Sequence, residues 1–162
     1  MVKNVVQEPG KVLRNKALSY THIGTSRAAH LVADMLDTMR EKKGVGIAAP
    51  QIGESVQVII VDTNDGPMTL YNPQILKSSK KKESGEEGCL SVVGVYGMVP
   101  RSASVEVAAM DKKGNPVHLK ATKFFARVLQ HEIDHLNGML FIDRATRITQ
   151  GKDLLKNTYG KK

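Results

Sequence analysis

The sequence predicts an α+β domain in which mostly antiparallel strands pack around a central helix, with another helix towards the N-terminus. Two observations predict it: apolar residues recur at helical spacing in two well-separated stretches, and several short β-branched runs lie between those stretches, punctuated by Gly, Pro, Asn and Asp. At 162 residues the chain suffices for one core that buries roughly two-thirds of the surface of the unfolded chain. A single domain over 1–162 is expected.

From Thr25 to Lys43 the residues Ala28, Leu31, Val32, Met35, Leu36 and Met39 recur three and four apart, the stripe of a first helix. A basic last turn and Gly44 mark its end. Gly44 to Gly53 is too rich in glycine and small residues for a regular element and reads as a loop that something approaches closely. Val56 to Asp62 is a buried strand, followed by a turn through Asn64, Asp65, Gly66 and Pro67. Further strands are predicted at Met68 to Tyr71, Ile75 to Ser79 and Ser102 to Met110, the last entering a hairpin turn at Asp111 to Gly114 and a strand from Pro116 to Ala121. The second helix runs from Thr122, a suitable N-cap, to Asn137, with Asn137 and Gly138 as its left-handed exit. Phe124, Val128, His131 and His135 form one stripe of it, expected to face the core.

Composition narrows the function. With 41% hydrophobic and 25% charged residues and no apolar run of spanning length, membrane insertion is not expected. Met1 to Arg14 contain no apolar stretch of the secretory type. The single cysteine, Cys89, forbids an intramolecular disulfide and calls for a reducing compartment or a metal, so a cytoplasmic protein is expected. The net charge of +8 permits nucleic acid, ribosomal RNA or an acidic protein as partner, and a solvated mixed surface accounts for it equally well. The excess gathers at Lys77 to Lys82 and in a basic C-terminal tail, 143–162, where, from Arg144 onward, Arg144, Arg147, Lys152, Lys156, Lys161 and Lys162 face only Asp153. One Tyr in that tail and no Trp anywhere give bases little to stack on, and DNA is not expected as a partner.

The strongest local signal is His131-Glu132-Ile133-Asp134-His135. Residues four apart on a helix are neighbours, so both imidazoles can reach one ion at about 2.1 Å, with Glu132 beside it and not ligating. Two satisfied core histidines and an exposed glutamate would give the same pattern. A catalytic tetrahedral ion wants a third protein ligand and an open position. The chain offers Glu86-Glu87-Gly88-Cys89-Leu90-Ser91, although Cys89 taken alone reads better as a small buried hydrophobe. A third stretch, Gly44-Val45-Gly46-Ile47-Ala48-Ala49-Pro50-Gln51, lets a substrate backbone lie close and offers the Gln51 amide to an oxygen that becomes negative. It lacks the ending of a P-loop, which discounts nucleotide binding.

In this order and at these separations the three stretches resemble the signatures of the peptide deformylase family, and the likeness extends from about Val5 through Val99-Pro100-Arg101 to Phe141. The resemblance implies a metal-dependent hydrolase that removes the formyl group from the N-terminal formylmethionine of newly made polypeptides and releases formate. It implies Cys89, His131 and His135 as metal ligands, Glu132 as the proton-transferring catalytic residue, and the Gln51 side chain and Leu90 N–H as oxyanion donors. It also places Gly46 beside the substrate main chain, with Val45 and Val128 near the methionine side chain. Thiolate and imidazole ligands suit Zn²⁺ or Fe²⁺ and disfavour Mg²⁺ or Ca²⁺. The resemblance favours Fe²⁺, with Zn²⁺, Ni²⁺ or Co²⁺ as replacements. Formylmethionyl nascent peptides are the implied partners, and the basic tail could then touch the ribosome. Ile47, Val93 and Glu8-Pro9-Gly10-Lys11 depart from the family's usual pattern and touch no ligand. Two rivals are a peptidase cutting internal bonds and an RNA-binding module with a structural zinc. The latter needs a fourth protein ligand, and no residue has convincing spacing for it.

Overall fold

The computed structural model describes residues 1–158. Helix α1, Ser26–Glu41, starts where Thr25 accepts a hydrogen bond from Ala28 N–H at 3.3 Å, and it buries Ala28, Met35 and Met39. Its last turn closes through Lys43 N–H to Arg40 O and Gly44 N–H to Met39 O, which leaves Lys43 as the left-handed residue at φ 55°. Gly44 also leaves room for a neighbour: a Cβ there would lie 3.0 Å from Leu90 Cδ1.

The segment 44–53, expected to be irregular, contains a short strand, β1 at Gly46–Ala48, and a 3-10 turn at Ala49–Ile52. Composition hid the strand because its pairing partner, β2 at Val58–Thr63, supplies the hydrogen bonds. Strand β3, Gly66–Ser78, joins two runs that the sequence separates. Its register shifts at Tyr71/Gln74 and again at Ile75/Lys77, and within the first shift Asn72, at φ 50°, turns its amide to the backbone of Tyr20. With β6 (Ser104–Met110) and β7 (Pro116–Thr122) these strands form an antiparallel sheet in the order β1-β2-β3-β6-β7.

Alternation along β2 splits the core into two layers. Ile59 and Val61 pack with Leu70, Val107, Leu129, Ile133 and Leu136, while Val58 and Ile60 pack with Met35, Met39, Ile47 and Tyr71. The first layer rests on helix α2, Lys123–Leu136, and the second on α1. Thr122 sits at the N-cap of α2 without a side-chain bond, and the left-handed exit is Gly138 alone, at φ 74°.

A second sheet, not foreseen, has the order β4-β5-β8, from Lys82–Cys89, Val92–Ser102 and Arg147–Gln150. The β4 run is polar and glycine-rich, so its pairing with β5 leaves little trace in hydropathy. Beneath this sheet Val92, Val95, Val99, Leu140 and Phe141 make a third cluster, with α3 (Phe141–Arg144) supplying its edge. Helix α4, Lys152–Thr158, follows; Lys161 and Lys162 of the basic tail lie outside the described residues. Among the described residues no helix is long and apolar enough to cross a membrane.

Candidate metal centre

Helix α2 places His131 and His135 one turn apart, with ring centroids 5.1 Å from each other, and the end of β4 brings Cys89 against them. Cys89 Sγ lies 3.4 Å from His135 Nε2, and one ligand atom from each of the three residues falls within 4.8 Å of the others. His131 donates through Nδ1–H to Glu87 Oε1 at 2.8 Å, which leaves Nε2 for the cluster.

Glu87 anchors a buried ion network. It accepts from Arg101 Nε and Nη2, both at 2.9 Å, and from Arg127 Nη1 at 2.6 Å. Arg101 also binds Asp134, which Arg144 holds from the other side at 2.7 and 2.9 Å. Charges this deep persist only when each has partners. Burial alone would raise the Glu87 carboxyl, yet the bonds from His131 and Arg101 outweigh it and hold the group at about 2.

Glu132, only 4% exposed, is in the opposite condition. Burial pushes its carboxyl up to about 7, and Oε2 has no hydrogen-bond partner. Burial disfavours charge on both histidines; His131 is nevertheless raised well above its ordinary value by Cys89 and Glu87, whereas His135 is lowered further by His131.

These residues fit one divalent ion. A sulfur and two imidazole nitrogens converge from a helix and a strand, three protein donors that leave a tetrahedral ion one further position. Nδ1 of His135 and Oε2 of Glu132 are buried and unpartnered beside them.

A cavity of about 890 Å³ opens in front of the cluster, lined by Cys89, His131 and Glu132 and by Val45, Leu90 and Phe124 among others. Gln51, almost fully buried, is aimed into this region. Its Oε1 accepts from Ala48 N–H at 2.9 Å, so the amide NH₂ points the other way, 3.2 Å from Ser91 Oγ and 3.5 Å from Cys89 Sγ. Gly46 lies against Glu132, where a Cβ would stand 2.5 Å from Oε1. Gln7 Nε2 donates to Leu90 O at 2.8 Å and so fixes the β4–β5 turn.

Of the site residues expected from the sequence, Val45, Gly46, Gln51, Cys89, Leu90, Val128, His131 and Glu132 line this cavity and His135 lies behind it against Cys89, with a correction to the helical stripe. Val128 and His135 are buried as expected, but Phe124 is 63% exposed, because the first turn of α2 runs past the sheet and becomes the rim of the cavity. Sequence reasoning missed Glu87, Arg101, Arg127, Asp134 and Arg144. Glu87 lies two residues before Cys89, but with β4 itself unforeseen nothing local marked it out.

A family model described as polypeptide deformylase matches residues 2–151. A peptide deformylase of Desulforudis audaxviator is 45% identical over 153 residues, covering 94% of this chain and 99% of that protein. Among solved structures, peptide deformylase from Thermotoga maritima matches with a TM-score of 0.87 at 35% identity, covering 91% of this chain and 99% of that one. A class I type b peptide deformylase from Acinetobacter baumannii, crystallised with Met-Ala-Ser bound, matches with a TM-score of 0.86 at 36% identity, covering 89% of this chain and 98% of that one.

Proposed function

The chain belongs to the polypeptide deformylase family and is a metallohydrolase that removes the formyl group from N-terminal formylmethionine; on that premise we propose how its residues divide the reaction. The observation that carries the assignment is the convergence of three donor atoms, a buried carboxyl and a directed amide on one cavity.

The substrate enters as an extended strand. Strands β1 and β4 are the edges of their two sheets, and both line the cavity, so a peptide between them gains main-chain hydrogen bonds beside Val45, Gly46 and Gly88. Its methionine side chain lies towards Val45 and Val128. Cys89 Sγ and Nε2 of His131 and His135 would hold one divalent ion, which would supply Lewis acidity at the formyl oxygen and to water.

Glu132 takes the proton that the attacking water loses as its oxygen bonds to the formyl carbon. A carboxyl tuned towards neutrality suits both halves of this task. Gln51 Nε2 and Leu90 N–H donate to the formyl oxygen as charge develops there. When the C–N bond breaks, Glu132 returns the proton to the departing nitrogen. Formate and a free amino terminus leave.

Fe²⁺ is the ion this reading assigns, because a thiolate and two imidazoles suit it and the family resemblance favours it; Zn²⁺, Ni²⁺ or Co²⁺ would replace it. A reducing cytoplasm keeps Cys89 unoxidised. Nascent chains are the substrates, and the basic C-terminal segment adds a contact to the ribosome. Arg144 is committed to Asp134, so this contact falls to Arg147 and to residues from Lys152 onward. Lys152→Glu with Lys156→Glu should reduce co-sedimentation with ribosomes, and unchanged co-sedimentation removes that contact from the proposal.

The central test is formate release from formyl-Met peptides by anaerobically prepared protein with its metal measured. Cleavage of internal bonds in unformylated peptides, without formate release, would overturn the assignment.

A further inference from the structure

Arg127 lines the cavity, yet none of the steps above uses it. Its guanidinium is fixed by three acceptors on two neighbouring strands: Glu87 Oε2 at 2.6 Å, Val99 O at 2.8 Å and Glu83 O at 2.6 Å. The side chain is only 13% exposed. Beneath it lies Gly85, where a Cβ would stand 2.9 Å from Cζ and 3.0 Å from Nε and Nη2. Gly85 is not among the glycines with positive φ, so its backbone does not demand glycine. The space above it does, and Arg127 fills that space.

Arg127 and His131 are four residues apart on α2 and therefore share a face. Both bind the same carboxylate: Glu87 Oε2 takes Arg127 and Oε1 takes His131. Phe124 and Val128, its neighbours on the helix, provide apolar cavity wall, and the planar cation with its aliphatic stem closes that wall. We propose that Arg127 sets the length of the methionine side-chain pocket and, through Glu87, positions His131 at the metal, with Gly85 as the clearance that admits it. The proposal rests on the deformylase reading and adds to it a residue that decides specificity.

The test compares the wild type with Arg127→Ala, Arg127→Lys and Gly85→Ala. Each is assayed on formyl-Met-Ala-Ser and on the same peptide with the methionine side chain extended by two methylenes, and metal loss to a chelator is timed on each loaded protein. Alanine at 127 should improve kcat/KM for the long side chain relative to methionine by about 10-fold or more, the scale of a methylene misfit in an apolar pocket. It should also speed metal loss, because Glu87 is then held less firmly. Lysine should restore part of both. Gly85→Ala, which displaces the guanidinium without deleting it, should shift the length preference in the same direction. A length preference unchanged in both alanine variants overturns the proposal, as does unchanged metal loss in Arg127→Ala. A wild type that releases no formate from either peptide refutes the deformylase reading instead, and the metal-loss measurement still reports on the positioning role.

Discussion

Gln51→Ala separates a catalytic contribution from a structural one within a single side chain. In the native site Oε1 satisfies Ala48 N–H at 2.9 Å, and the NH₂ group faces the cluster near Ser91 and Cys89. Loss of one oxyanion donor costs about 3 to 4 kcal/mol in the barrier, so kcat should fall roughly 100- to 1000-fold. The same change strips a fully buried N–H of its acceptor, a loss of about 1 to 3 kcal/mol in stability. At about 2 to 4 °C per kcal/mol for a chain of this size, Tm should drop by roughly 2 to 12 °C. Formate release measured well below the lowered Tm keeps the two effects apart. If kcat is preserved and only KM rises, Gln51 binds ground state and transition state alike, and its role as oxyanion donor is refuted.

Four further outcomes follow from the same geometry. Glu132→Gln should retain metal by elemental analysis and lose about 100-fold or more in kcat, the scale of a missing general acid–base; near-normal turnover would remove Glu132 from the proton transfers. Cys89→Ala should purify with little bound metal, and a full complement would contradict its ligand role. Gly46→Ala forces a methyl group to within 2.5 Å of Glu132 Oε1, so the carboxyl must move; kcat should fall at least about 10-fold with metal retained, and an unaltered rate would show that the placement of Glu132 is not critical. Glu87→Gln leaves Arg101 and Arg127 short of a counter-charge at a buried site, where breaking such a pair costs about 3 to 5 kcal/mol. Its Tm should fall by roughly 6 to 20 °C, and a shift below about 2 °C would show that the network contributes little.

Both helices were legible because each carries a long apolar stripe, and their ends fell within two residues of those expected. Strands in the large sheet were legible wherever β-branched residues gathered, as in Val58 to Val61. The smaller sheet was not. Lys82–Cys89 is held by pairing to β5 from Lys82↔Ser102 to Gly88↔Tyr96, a partnership that the hydropathy of its own residues does not announce. For the same reason the strand at Gly46–Ala48 read as loop, since it exists by virtue of β2. Phe124 misled because helical periodicity gives a face but not the point at which that face leaves the core.

The two histidines could be named from their spacing and Cys89 from the family resemblance, but the network that holds them could not, and physics explains the difference. Two imidazoles four residues apart on a helix are a local fact. The bonds joining Glu87 to Arg101, Arg127 and His131 span 14, 40 and 44 residues of chain, and no spacing rule reaches that far. Yet this network solves the problem the triad poses. Cys89 belongs to the small sheet, while both histidines ride on a helix packed against the large one. Glu87 on β4, Arg101 on β5, Asp134 on α2 and Arg144 on α3 tie these layers together through side chains that are mostly buried. Cys89 is thereby held opposite the helix at ligating distance by the fold itself, so that metal binding need not supply the energy to assemble its own site.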